Sequence, residues 1–293
     1  MAVAVAHLAG VIGATVTGVD MRQVPDAALI DTIETALERH GVLIFPEQVM
    51  SPAEQVAFSA ALGPLEPTGN IDARLDGHPE IFVVGNTGAR PVIFAPQAGS
   101  EDLEWHTDHI HREVPARASM LYAKEIPPDG GDTLFACMYS AYDALSAEDK
   151  ASYATLNAVH SVSGLRAYLQ QQSGDKPYVA GRQAPVPDAV TWPLVRHHPV
   201  TGRKALYFGA KVTVGIEDWP PDKALAFVAG LTAHATQDAF ATALSGGSGT
   251  PYCGTTGAPC MPRHRLISTA TAASCTAPPG VRSIRSRETP FGL

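Results

Sequence analysis

The sequence predicts an α+β domain rich in short strands. Three observations carry that prediction. Apolar stretches of four or five residues recur along the chain, each closed by Gly, Pro or Asp clusters. Two or three longer stretches carry helical periodicity with clear caps. Hydrophobic residues make up 45% of 293 residues, enough for a sizeable core in one unit. Many strands with few helices point to a barrel or a double-sheet jelly roll.

The elements follow in order. Residues 11–20 alternate Val, Ile and Ala with small or polar residues, which predicts a strand. Pro25-Asp26 opens a helix, in which Leu29, Ile30, Ile33 and Leu37 repeat at helical spacing until Gly41 stops it. Val42-Leu43-Ile44-Phe45 is a short buried strand. Ser51-Pro52-Ala53-Glu54 has the form of a capping box with proline at the first helical position, and its helix runs to about Leu62 before Gly63-Pro64. Ile81 to Val84 is a strand, and residues 86–104 read as loop.

Beyond it, Ser119 to Ala123 and Thr133 to Met138 are strands around a turn at Pro127-Pro128-Asp129-Gly130-Gly131. Ala141 to Leu145 begins a helical patch. Residues 163–190, rich in Gly, Gln, Pro and Ser, read as one long loop of the kind that serves as a lid. Arg196 to Gly209 reads as a hairpin turning at Pro199-Val200-Thr201-Gly202. Pro221 to His234 is an amphipathic helix bearing Leu225, Val228 and Leu231.

The formal charge is −8 with no basic run, which speaks against nucleic acid. The apolar N-terminus lacks a basic flank and is too short for a span, so neither a signal peptide nor a membrane helix is expected. Cys137, Cys253, Cys260 and Cys275 form no C-x-x-C pair, and reduced thiols in a cytoplasmic protein are the expectation. Nothing in the sequence fixes the oligomeric state, which leaves room for a homo-oligomer.

Composition changes at Ala241. Residues 241–293 hold five arginines, no lysine and one acid, Glu288. No helical or alternating run exceeds a few residues, and Gly246 to Pro251 and Thr269 to Ser274 look like low-complexity filler. The expected organisation is a domain over 1–240 that lacks its last core segment and an irregular, non-native tail over 241–293.

The most informative local feature is Glu104-Trp105-His106-Thr107-Asp108. An H-x-D pair at the end of a strand puts an imidazole and a carboxylate on one face. With a distant second imidazole this is the donor set that holds non-haem Fe(II) and leaves positions open. The neighbouring polar residues have blander readings. His109 and His111 line the cleft or bond to backbone, His197 and His198 serve the turn, Arg203 and Lys204 are solvated, and Trp105 packs. His264, the tail's only histidine, has no flanking strand pattern to place it.

Several segments together resemble the taurine / aryloxyalkanoate (TauD/TfdA-like) dioxygenase family, which uses Fe(II) and 2-oxoglutarate. They are Trp105 to Asp108, Pro127 to Phe135, Tyr139 to Ser146 and His198 to Tyr207. His234-Ala235-Thr236-Gln237, Gly41 to Phe45 and Phe58 to Pro64 are similar too. The likeness covers roughly residues 8–240 in family order. It implies a double-stranded β-helix (jelly-roll) core flanked by helices. It implies His106 and Asp108 as the metal ligands and catalytic pair, and Thr133 as a contact to 2-oxoglutarate. The implied reaction hydroxylates a small organic acid, such as an aryloxyalkanoate or a sulfonate, with molecular oxygen and decarboxylation of 2-oxoglutarate to succinate.

The family's third ligand lies in a later W-D-N…H segment, and a Y-R-R-x-x-H-R segment follows with the arginine that pairs with 2-oxoglutarate. This chain has neither as written. A reading-frame slip accounts for the gap. When residues 241–279 are back-translated and read one base early, degeneracy permits L-W-D-N-R-G-A-V-H followed by S-Y-R-R-I-L-H-R. The W arises across Cys253/Gly254, the H across Cys260/Met261 and Y-R-R across Ala270 to Ala273. The expectation is a chain inactive as written. The alternatives are a site rebuilt on a tail histidine and a non-catalytic scaffold or binding protein.

Overall fold

A computed structural model describes residues 2–85, 105–125, 132–172, 185 and 188–244, and the backbone of 251–255, 260–264 and 269–276. The chain opens with β1 (Ala4–His7) and β2 (Ala14–Thr17), then α1 (Ala27–His40), β3 (Val42–Ile44) and α2 (Pro52–Leu62). A 3-10 turn at Ile71–Ala73 leads to β4 (Arg74–Leu75) and β5 (His78–Gly85). Next come β6 (Ala116–Glu125), β7 (Thr133–Cys137), α3 (Met138–Asp143), α4 (Ala147–Tyr153), β8 (Asn157–His160) and α5 (Val162–Gln172). β9 (Val190–Pro193), β10 (Val195–His197), β11 (Lys204–Leu206), β12 (Thr213–Ile216) and α6 (Pro221–Ala235) follow. β13 (Ala241–Leu244), β14 (Pro251–Thr255), β15 (Cys260–His264) and β16 (Thr269–Thr276) end the described chain.

The helix boundaries are where local chemistry puts them. The Asp26 side chain accepts from the Leu29 amide, and Gly41, at φ 71°, closes α1 through its N–H to Leu37 O. Both halves of the capping box at Ser51 and Glu54 form, with Pro52 inside the first turn. α1 and α2 lie against the large sheet. Ile33, Leu37 and Phe58 pack there with Val16, Leu43, Phe45, Met120 and Tyr122.

The large sheet has eight strands in the order β1-β2-β3-β14-β6-β16-β5-β4. Smaller sheets run β13-β7-β15, β12-β8-β9 and β10-β11. A second core joins them. Phe135 of β7, Met138 and Tyr142 of α3, and Val228 and Leu231 of α6 pack with Trp105, Leu206 and Phe208. The architecture is the expected jelly-roll core flanked by helices. α6 turns a slightly different face inward than its sequence suggests: Ala224, Val228, Leu231 and Ala235 are buried, and Leu225 is half exposed.

Three expectations change. Residues 163–190 do not form one loop, because α5 takes 162–172. Residues 173–184 and 186–187, like 86–104 and the turn at 127–131, lie outside the described residues. The H-x-D pair itself lies on irregular chain at 105–107 and a turn at 108–110 rather than within a strand. The tail, which lacks any alternating run, nonetheless supplies β13 to β16. Ladder pairing uses main-chain N–H and C=O groups and requires few particular side chains. β14 and β16 take the two edges of β6, and β13 and β15 take those of β7. Pro262 falls in β15, which pairs on one side alone, where a missing donor is tolerated.

Candidate active site

Trp105 anchors the segment that carries the H-x-D pair. Its ring is buried in the second core and its carbonyl accepts the Ala210 amide at 2.8 Å. The next residues leave the core. His106 Nε2 stands 3.4 Å from Asp108 Oδ1, and each side chain keeps about a third of its surface open (38% and 35%). Two donors this close, each partly exposed, match two positions of the donor set a divalent cation takes.

Asp108 has a second partner. Ser119 Oγ, on β6, donates to Asp108 Oδ2 at 2.8 Å. Burial works against the charge on Asp108. The His106 imidazole, His109 and the Ser119 hydroxyl outweigh it and hold the carboxyl well below the usual carboxylate range. Asp108 is therefore ionised at any working pH, as a metal ligand must be.

The turn after the pair is strained. His109 has φ 56°, a left-handed conformation that costs about 1–3 kcal/mol in a non-glycine residue. Surroundings hold it there: His109 O accepts the Arg112 amide at 3.0 Å, the His109 and His111 rings meet edge-on at 6.2 Å, and Arg112 pairs with Glu66. Burial lowers the pKa of both rings, that of His111 to about 4, so both are neutral near pH 7. Ile110 is fully buried against Tyr207 and Val212.

Residues 209–213 press on the pair from behind. A Cβ at Gly209 would stand 2.6 Å from Val212 Cγ1 and 3.5 Å from His106 Cα, so close approach requires glycine there. The segment is tied down by Thr213. Its hydroxyl accepts the Gly209 amide at 2.9 Å and lies 3.0 Å from His160 Nδ1, and both side chains are buried.

Thr133 occupies the first position of β7, 3% exposed, in register with Leu244 of β13 and His264 of β15. Among the described residues no group of three His, Cys, Asp or Glu side chains is placed to hold a metal. His106 and Asp108 therefore fit two ligand positions, with no third donor in that set.

The remaining candidates take local roles. His198 Nδ1 accepts the Val200 and Thr201 amides and shapes the hairpin turn. Arg203, expected to be merely solvated, pairs with Asp143 at 3.5 Å and covers the Tyr139 ring at 4.2 Å. Sequence reasoning missed Ser119, Gly209, Thr213 and His160. Each acts through a neighbour distant in sequence, and no local pattern marks it.

Comparison with known proteins places the chain among relatives. Residues 4–245 match the family described as taurine catabolism dioxygenase TauD, TfdA family. The chain is 34% identical, over 241 residues, to an alpha-ketoglutarate-dependent 2,4-dichlorophenoxyacetate dioxygenase of Cupriavidus pinatubonensis, covering 78% of this chain and 80% of that one. It is 32% identical over 220 residues to an (S)-phenoxypropionate/alpha-ketoglutarate-dioxygenase of Sphingobium herbicidovorans, covering 70% of each. The crystal structure of a taurine dioxygenase from Burkholderia xenovorans superposes with a TM-score of 0.75 at 28% identity, over 95% of this chain and 90% of that one.

Proposed function

The chain belongs to the taurine catabolism dioxygenase TauD, TfdA family, and from that premise we propose that its domain is built to oxidise a small organic acid, an aryloxyalkanoate or a sulfonate, with Fe(II) and 2-oxoglutarate. The observation that carries this reading is the His106–Asp108 pair, 3.4 Å apart and open to solvent within the matched residues. His106 and Asp108 would hold the metal. Bound iron with 2-oxoglutarate would supply activation of oxygen against a C–H bond, leaving succinate.

The chain's own residues prepare that site. Ser119 fixes the Asp108 carboxylate by its second oxygen, leaving Oδ1 toward His106. The Gly209 segment backs the His106 main chain, and the buried Trp105 anchors it from the other side. Thr133 would offer its hydroxyl to 2-oxoglutarate.

We further propose that residues 1–240 are the dioxygenase domain and that 241–293 are read out of frame. The family match ends at residue 245, close to the change in composition at Ala241. The one-base-early reading would restore a histidine at Cys260/Met261, on the strand paired with β7, and arginines on β16. The chain as written would then be inactive. It lacks the second imidazole and the arginine that would pair with the cosubstrate carboxylate.

The test compares the chain as written with one whose frame is corrected near codon 240. Each is supplied with Fe(II), 2-oxoglutarate, and 2,4-dichlorophenoxyacetate or taurine. The corrected chain should release succinate, and the chain as written should release little or none. Turnover by the chain as written overturns the frame-slip reading. Cosubstrate binding without succinate from either chain marks a non-catalytic scaffold instead.

A further inference from the structure

Four side chains that the His106–Asp108 pair does not use gather behind the 209–213 segment. The β8–β9 register sets Trp192 opposite Ala158, which makes Trp192 and His160 diagonal neighbours on one face. The β10–β11 register sets Arg196 opposite Ala205, two residues before Tyr207, so Arg196 and Tyr207 share a face in the same way. The rings meet edge-on, with His160 to Tyr207 at 6.1 Å and Trp192 to Tyr207 at 6.4 Å. The Arg196 guanidinium stands over both larger rings, 4.6 Å from Trp192 and 4.5 Å from Tyr207.

Hydrogen-bond accounting leaves this cluster short of acceptors. Thr213 Oγ1 already accepts the Gly209 amide, so its own proton is free for His160 Nδ1. With the hydroxyl donating in this way, the imidazole proton sits on Nε2. His160 Nε2 and Trp192 Nε1 are buried with no hydrogen-bond partner among the described residues, and Tyr207 Oη, also buried, has only the Arg196 guanidinium beside it as a donor. His160 and Tyr207 are themselves 0% and 1% exposed. Trp192 Nε1 is an obligate donor, His160 Nε2 donates in that tautomer, the third is a hydroxyl, and no carboxylate among the described residues pairs with Arg196. Burial first, and then the positive charge of Arg196, disfavour a second proton on His160.

Protein interiors pair nearly all such groups, so these buried atoms call for an acceptor. A water molecule would satisfy the donors but would find almost no acceptor for its own hydrogens. An oxyanion accepts from every group and also meets the guanidinium charge. Trp192 and Arg196 are half-buried and reachable from solvent, and His160 and Tyr207 lie deeper.

We propose that Arg196, Trp192, Tyr207 and His160 form an oxyanion-binding subsite, separate from the His106–Asp108 pair, that takes the carboxylate or sulfonate head of a small organic acid. The subsite needs neither iron nor 2-oxoglutarate, and it stands whether or not the chain turns over.

The experiment follows the three tryptophan indole N–H resonances of the full chain, free of metal, during titration with acetate or methanesulfonate at constant ionic strength. The Trp192 resonance, assigned by loss in Trp192→Phe, should move saturably while those of Trp105 and Trp219 stay. Response to acetate alone marks a carboxylate head, to methanesulfonate alone a sulfonate head, and to both either one. Arg196→Met should weaken binding about tenfold or more. Tyr207→Phe, which removes one oxygen from the subsite, should weaken it by a smaller factor. An unmoved Trp192 resonance, a drift shared by all three indoles, or unchanged affinity in both Arg196→Met and Tyr207→Phe overturns the proposal.

Discussion

Thr213 Oγ1 lies 3.0 Å from His160 Nδ1, and the same hydroxyl accepts the Gly209 amide at 2.9 Å. One buried side chain thus ties β8 to the segment that backs His106. Thr213→Val keeps the shape and removes both bonds, leaving an imidazole nitrogen and an amide unpaired in the interior. The expected loss is about 1–3 kcal/mol of stability, read as a lower urea midpoint at unchanged slope. Thr213→Ser should recover most of it.

His160 also makes stability depend on pH. Burial first, then the charges of His111 and Arg196, lower its pKa from 6.5 to about 3. Between those values the unfolded chain binds a proton that the folded chain refuses. The stabilisation is therefore complete above pH 6.5 and declines as pH falls toward 3, with a slope of about 1.4 kcal/mol per pH unit. Urea melts at pH 7 and 5.5 should differ in this direction, and His160→Gln should reduce the difference, His111 and His109 supplying part of what remains.

Gly209→Ala tests the close packing behind the metal pair. The new methyl would meet Val212 Cγ1 at 2.6 Å, and Val212 is buried, so the segment must shift. Its nearest main-chain neighbour is His106. A destabilisation of about 1–3 kcal/mol is expected, as for overpacking in a core. Mn(II) affinity, measured by water-proton relaxation, should fall as well. Unchanged affinity would show that the segment does not position His106.

Tyr122→Phe serves as a control on the face of β6 opposite Ser119. Its hydroxyl accepts the Met50 amide at 3.1 Å and donates to Gln48 O at 3.2 Å, on a side chain 4% exposed. Removing one oxygen leaves two main-chain groups unpaired, for about 1–3 kcal/mol. A thermal melt should show the loss, with indole titration and Mn(II) binding unchanged.

The parts of this fold legible in the sequence are those set by local chemistry. Asp26, Gly41 and the Ser51–Glu54 box mark helix ends because caps involve residues within three or four positions. α4 carried the same signal at Ser146, whose side chain accepts the Asp149 amide, although the segment lacks buried residues to draw attention to it. β8, β9 and β12 were not legible, since each is four residues long and its pairing is settled by partners 30 to 58 positions away. The H-x-D pair stood out by residue type, but the irregular backbone carrying it did not. That geometry depends on Trp105, Ser119 and Ala210, which only the folded chain brings together. The donor cluster around Arg196 escaped for the same reason, being built from four separate strands or their ends.

The position of β6 bears on how the molecule comes to be made. Both its ladders are completed by strands from residues 251–276, the last stretch of the described chain to leave the ribosome. Until then the middle of the largest sheet waits with two bare edges, and neighbouring nascent chains can dock there. Any error late in the message is therefore felt first at the centre of the protein, and loss of soluble product would be its earliest symptom.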